Sequence, residues 1–90
     1  MILHVTDMKY LGDYTLWLRF SNGAECRVDL KPELYGEVFE PLRDLDLFRQ
    51  VSLTSRTIEW PNGADFAPEF LLGIGQMLVK PTVATVAPVR

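Results

Sequence analysis

The 90-residue sequence has one cysteine, Cys26, and one histidine, His4. A lone cysteine cannot form an internal disulfide, which fits either a reducing compartment or a protein that is indifferent to redox conditions. A structural zinc site needs several Cys or His ligands, so the sequence predicts no metal site. Cys26 and His4 are also the one pair that could supply a thiol nucleophile and a histidine base. Cys26 falls at an inward position of a predicted strand and is interpreted as a small packed hydrophobe, so no catalytic residue is predicted.

Clustered positive charge is also lacking. The sequence has 9 Lys and Arg against 12 Asp and Glu, a net charge of −3. Residues 1–75 hold all 12 acids and 7 of the bases, giving −5, and Lys80 and Arg90 give the remainder +2. Nucleic-acid binding depends on grouped Lys and Arg that neutralise phosphates. We therefore expect no direct nucleic-acid binding.

Long apolar runs and phosphate-binding glycine loops are missing too. No stretch approaches the ~18 apolar residues of a membrane span, and the N-terminal residues lack the basic start and apolar run of a signal peptide. Gly73-Ile74-Gly75 follows a predicted helix instead of opening one, so it does not fit dinucleotide binding. We expect a cytoplasmic protein with no membrane contact and no cofactor.

The hydrophobic content of 48% is enough for one globular domain. Residues 14–20 and 25–30 alternate apolar and polar, as half-buried strands do. Asn22-Gly23 lies between them and predicts a hairpin turn, since both residues accept positive φ. This pattern places Leu16, Leu18 and Phe20 on the inner face.

Three further strands and several short helices are predicted around this hairpin. Residues 2–10, 51–53 and 57–60 are predicted as strands, and the imperfect alternation of the first predicts either a bulge or an environment that is apolar on both faces. Pro32, Pro41 and Pro68 suit the first turns of short helices, and Asp46 is a candidate cap. The expected fold class is α+β: a small antiparallel sheet of about five strands with two or three short helices.

The predicted domain covers residues 1–75. Residues 76–90 follow two glycines, contain Pro81 and Pro88, and carry β-branched Val and Thr. They form either a disordered tail or an extended arm that pairs with something, a second copy of the chain being one candidate.

Two groups of residues are candidates for function. Trp17 and Arg19 point away from the core on their strand, and Arg27 does so on the next, which predicts an interaction surface. Trp60 and Asp65 bracket the run Trp60-Pro61-Asn62-Gly63-Ala64-Asp65. Asp65 either caps the last helix or lines a pocket beside Trp60; the capping role is sufficient by itself.

A family resemblance is carried by residues 14–23, 29–30, 38–44, 48–51 and 58–65, together with Pro68. The chain resembles DUF2442, a family of small bacterial domains of unknown function, over residues 2–72, most specifically in the run from Trp60 to Asp65. The resemblance implies a compact α+β fold with a small antiparallel sheet, and no catalytic residues. Some members of the family are fused to a C-terminal helix-turn-helix domain, for which the fifteen residues after Gly75 are expected to be too few. Many members are encoded beside a second small protein in pairs that resemble toxin–antitoxin modules.

Three functions remain open. The leading hypothesis is a non-enzymatic protein-interaction module with an unknown protein partner, as in a toxin–antitoxin-like pair. The first alternative is a homodimeric structural or regulatory domain acting with a DNA-binding partner. The second is a small carboxylate-based enzyme that uses Asp65 near Trp60.

Overall fold

The structure is a computed structural model that describes residues 2–81. Within that range the chain forms two antiparallel sheets, two α-helices and two 3₁₀ turns. The strands are β1 (Val5–Gly12), β2 (Thr15–Phe20), β3 (Glu25–Asp29), β4 (Ser52–Leu53), β5 (Ile58–Glu59), β6 (Asp65–Phe66) and β7 (Gln76–Val79). The helices are α1 (Leu45–Phe48) and α2 (Pro68–Ile74), and the 3₁₀ turns are Lys31–Glu33 and Glu40–Arg43.

The larger sheet has the order β1-β2-β3-β7 and is built on the β2–β3 hairpin. Leu16 pairs with Val28 and Leu18 with Cys26, and all four side chains are buried. The alternation of apolar and polar residues therefore places one face of this sheet on the core, and the predicted hairpin is confirmed.

Strand β1 is bulged, which is one of the two alternatives that its imperfect alternation predicted. Its register against β2 shifts between Val5 and Asp7 and again between Tyr10 and Gly12. The first shift brings Met8 opposite Leu18 on the inner face, although Met8 would point outward in a regular strand that starts with Val5 inward. The bulge thus lets both ends of β1 contribute to the core.

The smaller sheet has the order β4-β5-β6, and β6 was not predicted from the sequence. Ile58 pairs with Phe66, and the Thr57 hydroxyl donates a buried hydrogen bond to the Phe66 carbonyl at 2.7 Å. A strand of two residues is too short to show alternation, so only the turn before it could have signalled it.

The two Asn-Gly turns have the same hydrogen bonds. In the first, the Phe20 amide donates to the Ala24 carbonyl at 2.8 Å and the Asn22 Oδ1 accepts from the Ala24 amide at 3.0 Å. In the second, the Trp60 amide donates to Ala64 at 2.9 Å and the Asn62 Oδ1 accepts from the Ala64 amide at 3.1 Å. Their glycines have φ of 87° and 88°. Shared turn chemistry thus gives both hairpins one geometry.

Proline positions set the short helical segments. Pro32 and Pro41 lie in the first turns of the two 3₁₀ segments, and Pro68 lies in the first turn of α2. The cap of α1 is Asp44, whose side chain accepts from the Asp46 amide, so the prediction of Asp46 as the cap was wrong. Asp46 lies inside the first turn, where it pairs with Arg49 at 2.7 Å.

One hydrophobic core joins both sheets. Phe48 and Trp60 lie near its centre with ring centroids 5.4 Å apart, and the Trp60 Nε1 donates to the Phe48 carbonyl at 2.8 Å. The buried members come from every strand but β4 and β7, as well as from α1, α2 and the intervening loops. The structure is the predicted α+β fold, with the strands divided between two sheets.

The chain continues in the larger sheet past residue 75. Gln76–Val79 is extended, and it pairs with β3 of the same chain. Of the two alternatives given for the residues after Gly75, a disordered tail or an extended arm, residues 76–79 adopt the extended one, and their partner strand is intramolecular. The rest of the predicted tail, residues 82–90, lies outside the described residues.

Candidate functional site

The outer face of the larger sheet brings together the three residues predicted as an interaction surface. Trp17 lies opposite Arg27 on β3, and the Arg19 guanidinium carbon is 5.2 Å from the centroid of the Trp17 ring. Trp17 is half-buried, whereas Arg19 and Arg27 are exposed. A guanidinium over an indole is favourable, and it covers part of the ring that would otherwise face water.

Sequence reasoning missed two residues of this face, Lys9 and Leu11. Lys9 lies directly opposite Trp17 on β1, so Trp17 has a cationic residue on each side, Lys9 and Arg27. Lys9, Leu11, Trp17 and Arg19 line an open hollow of about 450 Å³. The bulges in β1 concealed this, because the face of a bulged strand cannot be read from alternation. We call Lys9, Leu11, Trp17, Arg19 and Arg27 the tryptophan face.

The charges of the tryptophan face are not equivalent. Arg19 forms ion pairs with Asp7 at 3.0 Å and with Glu25 at 3.5 Å, so its charge is already balanced. Arg27 donates to the Gln76 side chain at 3.2 Å. Lys9 and Arg27 have no carboxylate within ion-pair distance among residues 2–81. Unbalanced positive charge therefore lies on both sides of the tryptophan.

Trp60 and Asp65 do not share a pocket wall. Trp60 is 2% exposed, and its indole is held in the core. Asp65 is exposed and borders two surface hollows. In the register of the smaller sheet it lies opposite Glu59 of β5. The residue before α2 is Ala67, with no side-chain hydrogen bond to the helix. The capping role predicted for Asp65 was therefore wrong, because β6 holds it two residues before the cap position.

Cys26 and His4 lie in different surroundings. Cys26 is fully buried on the inner face of β3, and burial raises the pKa of its thiol from 9.0 to about 11. His4 is near the surface, and its Nδ1 lies 3.4 Å from the Ile2 carbonyl. A buried thiol with this pKa stays protonated at neutral pH and is a poor nucleophile.

Residues 2–81 contain neither a metal-binding cluster nor a membrane-spanning helix. Among residues 2–81, no cluster of three or more His, Cys, Asp or Glu could hold a metal ion. No helix in the same part of the chain has the length and apolar character needed to cross a membrane.

Comparison with known proteins identifies the family. Neither the curated proteins nor the solved structures contain a match to this chain. The family model described as "Protein of unknown function (DUF2442)" matches residues 5–75, which include strands β1 to β6 and both α-helices. The chain therefore belongs to the DUF2442 family of proteins of unknown function.

Proposed function

We propose that the chain is a non-enzymatic protein-interaction module that binds a partner protein through the tryptophan face. The observation that carries this proposal is the row Lys9–Trp17–Arg27, in which an incompletely covered tryptophan lies between two cations without carboxylate partners. Trp and Arg supply much of the binding energy in protein interfaces, mostly near the interface centre. The surface suits a partner segment with an apolar residue over Trp17 and carboxylates beside it.

The side chains of the tryptophan face are already held in place before a partner binds. The Asp7–Arg19–Glu25 ion pairs hold the Arg19 side chain beside Trp17, and β1 and β3 flank β2 on both sides. A rigid strand surface loses less conformational entropy on association than a loop does. The protonated Cys26 thiol gives no support to nucleophilic catalysis, which also favours binding over chemistry. A fitting partner is the other half of a toxin–antitoxin-like pair.

Capture from cells of the native host tests this function. The bait proteins are the wild-type chain, Trp17→Ala, Arg27→Glu and the control Leu53→Ala, which changes a 41% exposed residue of the smaller sheet. We expect one partner to bind the wild type and the control and to be lost from both tryptophan-face variants. With the purified partner, Trp17→Ala should weaken binding about thirtyfold. A partner that binds wild type and Trp17→Ala equally would contradict the proposal.

A second candidate function is a homodimeric regulatory domain acting with a DNA-binding partner. It is favoured by β7, which lies at the edge of the larger sheet and exposes Met77, Leu78 and Val79 by 41–49%. Edge strands have free backbone donors and acceptors and can pair with a second chain. Association through β7 would extend the sheet across two copies.

Sedimentation equilibrium distinguishes this candidate. If the chain dimerises through β7, the wild type should associate and Leu78→Lys should remain monomeric at the same concentration. The control Leu53→Lys changes another exposed strand residue and should associate like the wild type. Substitution is preferable to truncation after Gly75, since truncation removes a strand of the sheet. A wild-type chain that is monomeric at every concentration would eliminate the dimer.

A further inference from the structure

A second surface of the molecule combines aromatic rings with carboxylates. Four aromatic side chains line an open hollow of about 360 Å³, with Glu33, Asp65 and Ala67 completing its walls. We call it the phenylalanine groove; its aromatic members are Tyr35, Phe39, Phe66 and Phe70. It shares no residue with the tryptophan face.

Three of the four rings of the phenylalanine groove form a continuous stack. Phe66 lies in the middle, stacked with Phe39 at 4.6 Å and 21° and with Phe70 at 5.5 Å and 13°. Phe66 is 8% exposed, but Phe70 is 39% and Tyr35 67% exposed. A contiguous patch of aromatic side chains that is open to solvent marks a candidate interaction site.

The groove is held in shape from below and from the side. Trp60 packs edge-on against Phe66 with centroids 5.9 Å apart. The Asn62 side-chain amide donates to the Val38 carbonyl at 3.0 Å, which fixes the segment that carries Phe39. The run from Trp60 to Asp65 therefore supports the groove and places one carboxylate at its rim. A groove held in this way needs little rearrangement when it binds a ligand.

The charged residues that line the groove, Glu33 and Asp65, are both acidic. The nearest base along its rim, Arg43, donates its Nε hydrogen to the Leu34 carbonyl at 2.8 Å. Residues 32–42 contain Glu33, Glu37 and Glu40, and residues 57–79 contain Glu59, Asp65 and Glu69. Neither segment contains Lys, Arg or His, so the two segments that build the groove hold six of the 12 acids of the chain and no base. Carboxylates in the walls and aromatic faces both favour a cationic ligand.

We propose that the phenylalanine groove binds an arginine side chain of an extended segment of a partner protein. A guanidinium stacks flat on aromatic rings and forms paired hydrogen bonds with carboxylates. The groove has both kinds of group in its lining, the Phe66–Phe70 stack and the carboxylates of Glu33 and Asp65. Apolar residues beside the arginine would cover Tyr35. This site goes beyond the function proposed above, because its location and its charge preference both differ from those of the tryptophan face.

Titration of the ¹⁵N-labelled chain with a short blocked peptide tests the proposal. The peptide has one arginine between two leucines, and its matched control has citrulline, which is nearly isosteric and uncharged, in place of arginine. We expect amide shifts confined to residues 33–39 and 65–70. The arginine peptide should bind about fivefold more tightly than the citrulline peptide.

Variants locate the effect. Asp65→Asn and Phe70→Ala should each weaken arginine-peptide binding about fivefold, whereas Asp13→Asn, at an exposed position in the turn between β1 and β2, should leave it unchanged. The dispersion of the remaining amide signals shows that each variant is folded. Equal binding of both peptides, or shifts on the tryptophan face instead, would overturn the proposal. Shifts at the groove on concentrating the chain without peptide would assign it to a second copy and overturn it as well.

Discussion

Gly63 shows how one residue determines a turn. Its φ of 88° lies in the left-handed region, and a Cβ built there would meet no atom within 4 Å. The requirement for glycine is therefore conformational and not a matter of space. Gly73, in the last turn of α2, also has open space around it but no positive φ. A Cβ meets no clash at either position, so the comparison isolates the cost of the positive φ at Gly63.

Gly63→Ala should destabilise the chain by about 1–2 kcal/mol, because alanine pays for the left-handed conformation. Gly73→Ala should stabilise it by about 0.5 kcal/mol, since alanine restricts the unfolded chain at a helical position. Urea unfolding followed by circular dichroism measures both free energies. A loss at Gly73 equal to that at Gly63 would show that conformation at the turn is not the cause.

Cys26 predicts a pH dependence of stability. Its thiol has a folded-state pKa of about 11 against an ordinary value of 9.0, so the fold favours the protonated thiol. Above pH 9 the unfolded chain loses this proton while the folded chain keeps it. The stability that depends on Cys26 is therefore complete below pH 9 and is lost as the pH rises toward 11.

Relative to Cys26→Ala, the wild-type chain should lose about 2 kcal/mol of stability between pH 8 and pH 10.5. The variant is less stable at every pH because it leaves a small cavity, but it lacks this slope. Other titrating groups are common to both chains and cancel in the difference. Parallel pH profiles for the two chains would show that the thiol titrates alike in both states.

Among the elements, α2 and β7 depend on close contact with β3 at Gly75. A Cβ at this position would lie 2.6 Å from the Cys26 Sγ and 3.0 Å from both the Cys26 Cβ and the Val28 Cγ2. Its φ of −76° is ordinary, so the need for glycine here is steric. This glycine lets the chain leave α2 and enter the sheet directly.

Gly75→Ala should therefore cost about 1–3 kcal/mol, although the same change at Gly73 is favourable. Combining it with Cys26→Ala removes the shortest contact, so the double variant should lose at least about 0.5 kcal/mol less than the sum of the two single losses. A double-mutant cycle from urea unfolding gives this coupling. Strict additivity would mean that the clash is relieved elsewhere, by movement of α2 or β7.

The predictability of each element follows from its length and regularity. Residues 14–30 could be assigned correctly because two long alternating strands share one Asn-Gly turn. The α1 cap was misassigned by two residues because Asp44 and Asp46 are chemically equivalent in the sequence and only the backbone distinguishes them. Strand β6 was missed because its two residues acquire a partner only in the folded chain.

The candidate sites were predictable to different degrees. Alternation alone placed Trp17, Arg19 and Arg27 on one face, whereas Lys9 joins them only through the bulged register of β1. The phenylalanine groove could not be predicted, since Phe39 comes from an irregular connection and Phe66 from the unpredicted strand. Surfaces built on one regular sheet can be read from sequence; surfaces built from separate loops need the tertiary contacts.

At the scale of the whole molecule, the two sheets share one core. Leu18 and Cys26 of the larger sheet belong to the same buried cluster as Ile58 and Phe66 of the smaller one. The Val5 amide also donates to the Arg56 carbonyl at 2.8 Å, which ties β1 to the loop before β5. In a chain of this size, neither sheet has enough buried surface to persist without the other.

Unfolding should therefore be a single cooperative transition. In Trp17→Phe, Trp60 is the one remaining tryptophan and reports on the core, while far-ultraviolet circular dichroism reports on both sheets. The two signals should give the same urea midpoint. Adding Ile58→Val in the smaller sheet should lower both midpoints together, at a cost of about 1 kcal/mol, because the lost methylene group belongs to the shared core. Separate midpoints, or a shift in the fluorescence signal alone, would show that the smaller sheet and Trp60 unfold independently of the β2–β3 hairpin.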